Sequence, residues 1–344
     1  MTPTTTTAAI DSRGLTKHYG ATVALDRVEF AVPTGSVFGV IGPNGAGKTT
    51  MMRLMLDIIH PTAGEVSVLG ADPRHGGPKL RRRIGFLPGE LHLGGRGSGR
   101  DLLRHYARIS GGVPPARIEQ LADRLGVDLS RPVKKLSKGN KQKVGLIQAF
   151  MHEPELLVLD EPTSGLDPLV QQEFLTMVRE AKAAGQTVFL SSHVLSEVQQ
   201  AADEVAILRD GRIATVATVK QLRESAVRHV RVVVAEEDAG ALAATLSASP
   251  GISAIGQSPL GPSEGESEFT ATIDAHVDDF VKALAQHPIV DLAIEEPELE
   301  ESVMRYYDGT DDGTAPATGP VPTGPASTGP VPTGPVATDE EGAR

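Results

Sequence analysis

The run VFGVIGPNGAGKTT, Val37 to Thr50, sets a glycine-rich loop between an apolar pentapeptide and a helix-like segment. Its spacing, Gly42, four residues, then Gly47, Lys48 and Thr49, cradles polyphosphate when a strand precedes it and a helix follows. Glycines let consecutive backbone N–H groups converge on phosphate oxygens, and the helix adds its positive end at the same spot. Gly42, Pro43, Asn44, Gly45, Ala46 and Gly47 therefore read as the cradle, with Thr50 beside it. Lys48 would supply a point charge to the β and γ phosphates, and the Thr49 hydroxyl a magnesium ligand. A glycine-rich turn with an incidental lysine is the plainer alternative, but it leaves strand, spacing and helix together unexplained.

A second stretch, ELLVLDEPTSGLDP (Glu155 to Pro168), supplies two adjacent carboxylates where a buried strand meets a loop. Asp160 would hold the magnesium shell and Glu161 would polarise an attacking water. An Asp-Glu pair alone reads as a solvated acidic turn. The apolar run before it and the phosphate loop upstream favour the chemical reading. His193 follows TVFLSS; a lone histidine is more often structural, and a nearby γ-phosphate reverses that preference. Tyr19, in LTKHYGATVAL, reads either as a ring that stacks on adenine or as an ordinary surface or core tyrosine.

These groups need a scaffold, and the apolar patterning supplies one. VFGVIG, ELLVLD, TVFLSS and EVAILRDGRI are short apolar strands, EVSVLG an alternating one, and KTTMMRLMLDII and LVQQEFLTMVREAKAAG are helix-like. Such a pattern predicts an α/β fold on a parallel sheet covered on both faces. Residues from about 90 to 152 carry amphipathic helical signals in place of strands and read as an inserted helical subdomain, within a nucleotide-binding domain over residues 13–225. Residues 226–308 follow the order strand, helix, two strands, helix, strand, resembling a small ferredoxin-like α+β unit, with LEESVMRYY as a closing helix. The Thr-rich residues 1–12 and the Pro/Gly/Thr-rich tail 309–344 are expected to be disordered, since neither can bury a core.

Composition narrows the classes. The 344-residue chain is 40% hydrophobic, enough for a packed core, and has no cysteine, which excludes disulfides, thiolate metal sites and a cysteine nucleophile. No signal peptide is evident in the first residues and no run of about 18 apolar residues occurs, so work at a membrane requires a partner that spans it. Five lysines crowd Lys134 to Lys143, yet the formal net charge is -11. That acidity argues against a general affinity for nucleic acid and directs attention to a local phosphate site.

Taken together, residues 13 to 225 resemble the ATP-binding subunits of ABC transporters, with the motifs in the expected order. LSKGN, Leu136 to Asn140, stands at the signature position, usually LSGGQ, so the lysines flank a helix start that the resemblance assigns to the γ-phosphate of ATP on a second copy. The resemblance implies a head-to-tail homodimer enclosing two ATP molecules with Mg2+. Ser137 and Gly139 would touch the opposing nucleotide, and Asp167 in SGLDP matches the loop beside it. It also implies an integral-membrane partner, a peripheral place on the cytoplasmic face of the cell membrane, and an ATP-hydrolysing role in export of a drug, antibiotic or lipid-like substrate. An importer subunit or a soluble non-transport ATPase are the rival readings; a single ATP module without zinc-binding cysteines disfavours the second.

The chain departs from the pattern at three places. Lys138 replaces a glycine, either adding charge near phosphate or pointing to solvent, and Asn140 replaces a glutamine. In RIGFLPGELHL, Gly89 stands where the family commonly carries a glutamine that approaches magnesium. Either Glu90, a hard oxygen donor and the favoured candidate, or a water takes over that role, or coupling to transport is altered.

Overall fold

The structure, a computed structural model, describes residues 8–94, 97–224, 228–259, 265–273 and 277–295. The chain opens with an antiparallel hairpin of β1 (Ala8–Tyr19) and β2 (Thr22–Pro33), then β3 (Val37–Ile41) leads through the glycine loop into α1 (Lys48–Met55). β4 (Ala63–Val68), α2 (Pro73–Arg81) and β5 (Ile84–Leu87) precede three helices, α3 (Gly99–Ile109), α4 (Pro115–Arg124) and α5 (Lys138–Phe150). Next come β6 (Leu156–Asp160), α6 (Pro168–Ala183), β7 (Thr187–Ser192), α7 (Leu195–Ala201), β8 (Glu204–Arg209), β9 (Arg212–Thr218) and α8 (Val219–Glu224). The last elements are β10 (Arg228–Ala235), α9 (Glu236–Ala248), β11 (Ile252–Pro259), β12 (Glu266–Ile273), α10 (Val277–Leu284) and β13 (Asp291–Ile294).

Six strands form the central sheet in the order β5-β6-β7-β3-β8-β9, parallel except for the final β8–β9 hairpin. Their near-continuous apolar sequences follow from burial on both faces. Leu156, Val158, Phe189, Phe38 and Val40 point to one core, while the alternating Leu157, Leu159, Val188, Leu190 and Ile41 point to the other. In the first core Phe30, Phe38 and Phe189 stack with centroids 5.7 to 5.9 Å apart, welding the β2 hairpin to the sheet. The second core joins the sheet to α3, α4, α5 and α6.

Two sequence expectations are corrected. EVSVLG does not extend the parallel sheet: β4 pairs antiparallel with β1, in a separate sheet ordered β2-β1-β4. Nor does the stretch 1–12 lack structure throughout, because β1 begins at Ala8 and Ile10, fully buried, pairs with Val68 and Val32. Hydrophobic partners far along the chain outweigh the Thr-rich context. Residues 1–7 lie outside the described residues, as do LEESVMRYY and the tail 309–344.

Between β5 and β6 the helices are locally specified. Ser98 and Asp101 cap α3 reciprocally, the Ser98 hydroxyl accepting from Asp101 N and the Asp101 carboxylate from Ser98 N. Farther on, the strands β10 to β13 form an antiparallel sheet ordered β11-β12-β10-β13, with α9 and α10 packed through Leu242, Leu246, Phe280 and Leu284 onto Val230, Val232 and Phe269. This is the strand order of a ferredoxin-like unit, as its element sequence suggested. Among the described residues no helix is long and apolar enough to cross a membrane.

Candidate active site

Parallel register brings the chemistry to one edge. Ile41 pairs with Ser192 and Asp160 with Ser191, so β3, β6 and β7 end level and their following loops meet at the carboxyl ends of the strands. There an open cleft of about 270 Å³ is lined by Ala24, Pro43, Asn44, Gly45, Gly47, Lys48, Thr49, Thr50, Asp160 and Glu161.

Two glycines of the loop are sterically required. Gly47 has φ 112°, and a Cβ there would lie 2.6 Å from Ala24 O; one on Gly42 would lie 2.4 Å from Leu208 O. The loop thus hugs β2 and β8, and Ala46 is buried beneath it. Lys48, at the start of α1, is only 7% exposed and donates to the Gly42 carbonyl at 2.5 Å and the Pro43 carbonyl at 3.3 Å. Its ammonium also lies 3.7 Å from Glu161 Oε1.

Asp160 is buried at the end of β6 and accepts two short hydrogen bonds, from Thr49 Oγ1 at 2.7 Å and Ser191 Oγ at 2.6 Å. Glu161, the next residue, has φ 49°, a left-handed conformation uncommon for a non-glycine residue. Its N–H donates to Ser191 Oγ at 3.1 Å, and Gln142 Nε2 donates to its carbonyl at 3.2 Å. His193, on the loop after β7, sets Nδ1 2.5 Å from Glu161 Oε2, so an Nδ1–H donates to that carboxylate. A cation, a carboxylate and an imidazole therefore form one chain, Lys48, Glu161, His193, beside the phosphate loop.

Ser191, Gln142, Glu197 and Ala24 are site residues that sequence reasoning missed. Glu197 of α7 accepts from Thr163 Oγ1 at 2.6 Å and Ser192 Oγ at 2.9 Å, joining the loop after Glu161 to the one that carries His193. The serines ending TVFLSS were the available signal; the helix residues had none that periodicity could separate from ordinary core.

Other expected residues are not brought to this cleft within one chain. Ser137 caps α5, accepting from Asn140 N at 3.2 Å, and Asp167 caps α6, accepting from Val170 N at 3.1 Å. A Cβ on Gly139 would meet Gly165 O at 2.7 Å, so α5 can lie against the SGLDP loop only with glycine there. Lys138 is exposed, with Nζ 3.4 Å from Ser164 Oγ. Tyr19 is 48% exposed, outside the cleft lining, with Lys17 Nζ 5.0 Å from its ring centroid. Glu90 is exposed and also outside the lining, whereas a Cβ on Gly89 would come 3.1 Å from Asp160 Oδ2.

Comparison with known proteins accords with this geometry. Residues 25–164 match the family described as "ABC transporter". The chain is 34% identical over 218 residues to the bacitracin transport ATP-binding protein BcrA of Enterococcus faecalis, covering 62% of this chain and 71% of that one. It is 36% identical over 207 residues to the BcrA of Bacillus licheniformis, covering 59% and 68% of the two chains. A solved "ATP binding subunit of ABC transporter" superposes with a TM-score of 0.59 at 32% identity, over 63% of this chain and 92% of that one. With its phosphate loop, paired carboxylates and histidine gathered at the ends of three parallel strands, the chain belongs to the ATP-binding proteins of ABC transporters and is an ATP hydrolase.

Proposed function

We propose that this ATPase drives a separate integral-membrane exporter from the cytoplasmic face of the membrane, as an ATP-dependent head-to-tail homodimer, and that the cargo is an antibiotic-like peptide. The observation that carries the catalytic part is the Lys48–Glu161–His193 chain beside the phosphate loop. Lys48 would draw the β and γ phosphates into the cradle of Gly42 to Gly47, and Glu161 would take a proton from the attacking water. His193 would hold the Glu161 carboxylate and steady the γ-phosphate; Tyr19 remains the candidate for the adenine. The cargo class rests on the likeness to the two bacitracin transport proteins.

Thr49 and Asp160 suit Mg2+: a hydroxyl and a carboxylate oxygen sit together at the cleft, hard donors of the kind that ion prefers. An ion of this kind keeps waters and substrate oxygens as its other ligands. When bound it would neutralise charge developing on the phosphates. Because Glu90 faces solvent, Glu90→Ala is expected to leave turnover within about twofold of wild type across a magnesium titration. Gly89→Gln is expected to lower it, since its Cβ crowds Asp160. A steep loss in Glu90→Ala would instead restore Glu90 as a ligand.

Ser137, Gly139 and Asp167 have their own-chain roles at two helix starts, and the N-terminus of α5 remains open to solvent beside them. That supports presentation of this edge to the nucleotide of a second copy. The test in cells is a deletion strain. Wild type should sediment with membranes and restore tolerance to bacitracin, while Glu161→Gln should sediment but fail to restore it. A chain that stays in the soluble fraction, with tolerance unaltered by the deletion, would overturn the exporter reading.

A further inference from the structure

We propose that Gln142 is a positioning residue for hydrolysis, holding Glu161 in its left-handed conformation from the neighbouring helix. The inference rests on the reading of Glu161 as the group that polarises water. At φ 49° the Glu161 backbone stores strain that a glutamate would relieve by rotating back, carrying its carboxylate away from the phosphate loop. Something must grip both sides of the residue. The N–H side is held by Ser191, through Oγ at 3.1 Å and O at 3.3 Å.

The carbonyl side is held within the turn by Ser164, whose N–H donates to Glu161 O at 3.2 Å, while Pro162, the next residue, has no N–H to offer. Gln142, only 4% exposed, supplies a donor from outside: its single side-chain amide nitrogen donates to Glu161 O at 3.2 Å and Pro162 O at 3.0 Å. The two protons of one amide nitrogen match two successive carbonyls.

The helix that carries Gln142 is itself fastened to this loop. Along the first two turns of α5, Lys138 reaches Ser164, Gly139 abuts the Gly165 carbonyl, and Lys143 Nζ lies 3.8 Å from Asp167 Oδ2. Beside these contacts, the one from Gln142 touches the Glu161 peptide itself. Since Ser137 caps the same helix, a displacement of its N-terminus, the edge proposed to meet the second copy's nucleotide, reaches Glu161 through one buried side chain.

Kinetics of Gln142→Leu and Gln142→Glu in the full chain test this. Gln142→Leu, similar in volume but without a donor, should lower kcat by about 10- to 100-fold, the loss that about an ångström of misplacement brings. The affinity for a non-hydrolysable ATP analogue should stay within about twofold, because no phosphate contact is touched. Gln142→Glu sets a carboxylate against two carbonyls. Its activity relative to wild type should rise as pH falls from about 8 to about 6, since burial raises the carboxyl pKa and the protonated form regains one donor. This acid rescue carries the test if Gln142→Leu does not fold.

Gln142→Leu should also add little in a Glu161→Gln background, where there is no base left to position. Wild-type kcat in Gln142→Leu, or kcat and analogue affinity falling together with the melting temperature and no acid rescue of Gln142→Glu, overturns the proposal. A collapsed Glu161→Gln beside a silent Gln142→Leu removes the Gln142 proposal alone. Turnover of Glu161→Gln near wild type removes the reading on which it rests.

Discussion

Replacing Glu161 by glutamine is expected to lower ATP turnover by about 100- to 10,000-fold while leaving ATP affinity intact, the range typical of losing a general base. Glutamine keeps the shape and most hydrogen bonds, so the loop and its Ser191 and Gln142 contacts should survive. What disappears is the carboxylate that lies both against Lys48 and His193 and beside the buried Asp160. Asp160 cannot substitute, because its two oxygens are already engaged by Thr49 and Ser191. With binding kept and hydrolysis stopped, ATP should hold two copies together, visible as a dimer by gel filtration in ATP but not in ADP. Turnover within threefold of wild type would remove Glu161 from the role.

Lys48→Ala is expected to act on the other kinetic parameter. Its ammonium is the cation at the centre of the cradle, buried by α1 and turned toward the loop carbonyls. A hydrogen bond to a charged group contributes about 1.5–3 kcal/mol, so ATP affinity should weaken by about 10- to 100-fold. Turnover at saturating ATP should fall as well, because the same charge would offset the charge that develops on the phosphates. Measuring nucleotide affinity by calorimetry separates the two variants: Glu161→Gln spares it and Lys48→Ala does not. Wild-type affinity in Lys48→Ala would mean that the nucleotide binds elsewhere.

What could be read in the sequence divides along physical lines. The phosphate loop and the Asp160–Glu161 pair were legible because their chemistry is carried by adjacent residues on one strand and its following turn. Likewise, β3, β6 and β7 announce themselves as unbroken apolar runs, since both of their faces are buried. The sheet made by β1, β2 and β4 was not legible as such. Ile10 and Leu15 find partners only through pairing across the chain, and no local signal separates an antiparallel β4 from another strand of the parallel sheet. The hydrogen-bond partners of the carboxylates were hidden for the same reason. Ser191 reaches Asp160 through strand register, and Gln142 reaches Glu161 through the packing of α5; neither distance exists until the chain has folded. Donor type alone did not place Glu90: three residues past the end of β5, it is exposed and outside the cleft lining.

The central claim is that one catalytic cleft takes Lys48, Asp160 and Glu161 from one copy and the Ser137–Gly139 edge from another. Mixing two variants tests it most directly. Glu161→Gln lacks the base and Ser137→Arg blocks the start of α5, so each alone should be inactive. In a mixed head-to-tail dimer both lesions fall in one cleft, and the other cleft combines an intact base with an intact helix start. The account predicts that ATP turnover reappears on mixing, well above the sum of the two proteins measured separately. Turnover equal to that sum, in a mixture shown by cross-linking to contain mixed dimers, would contradict it.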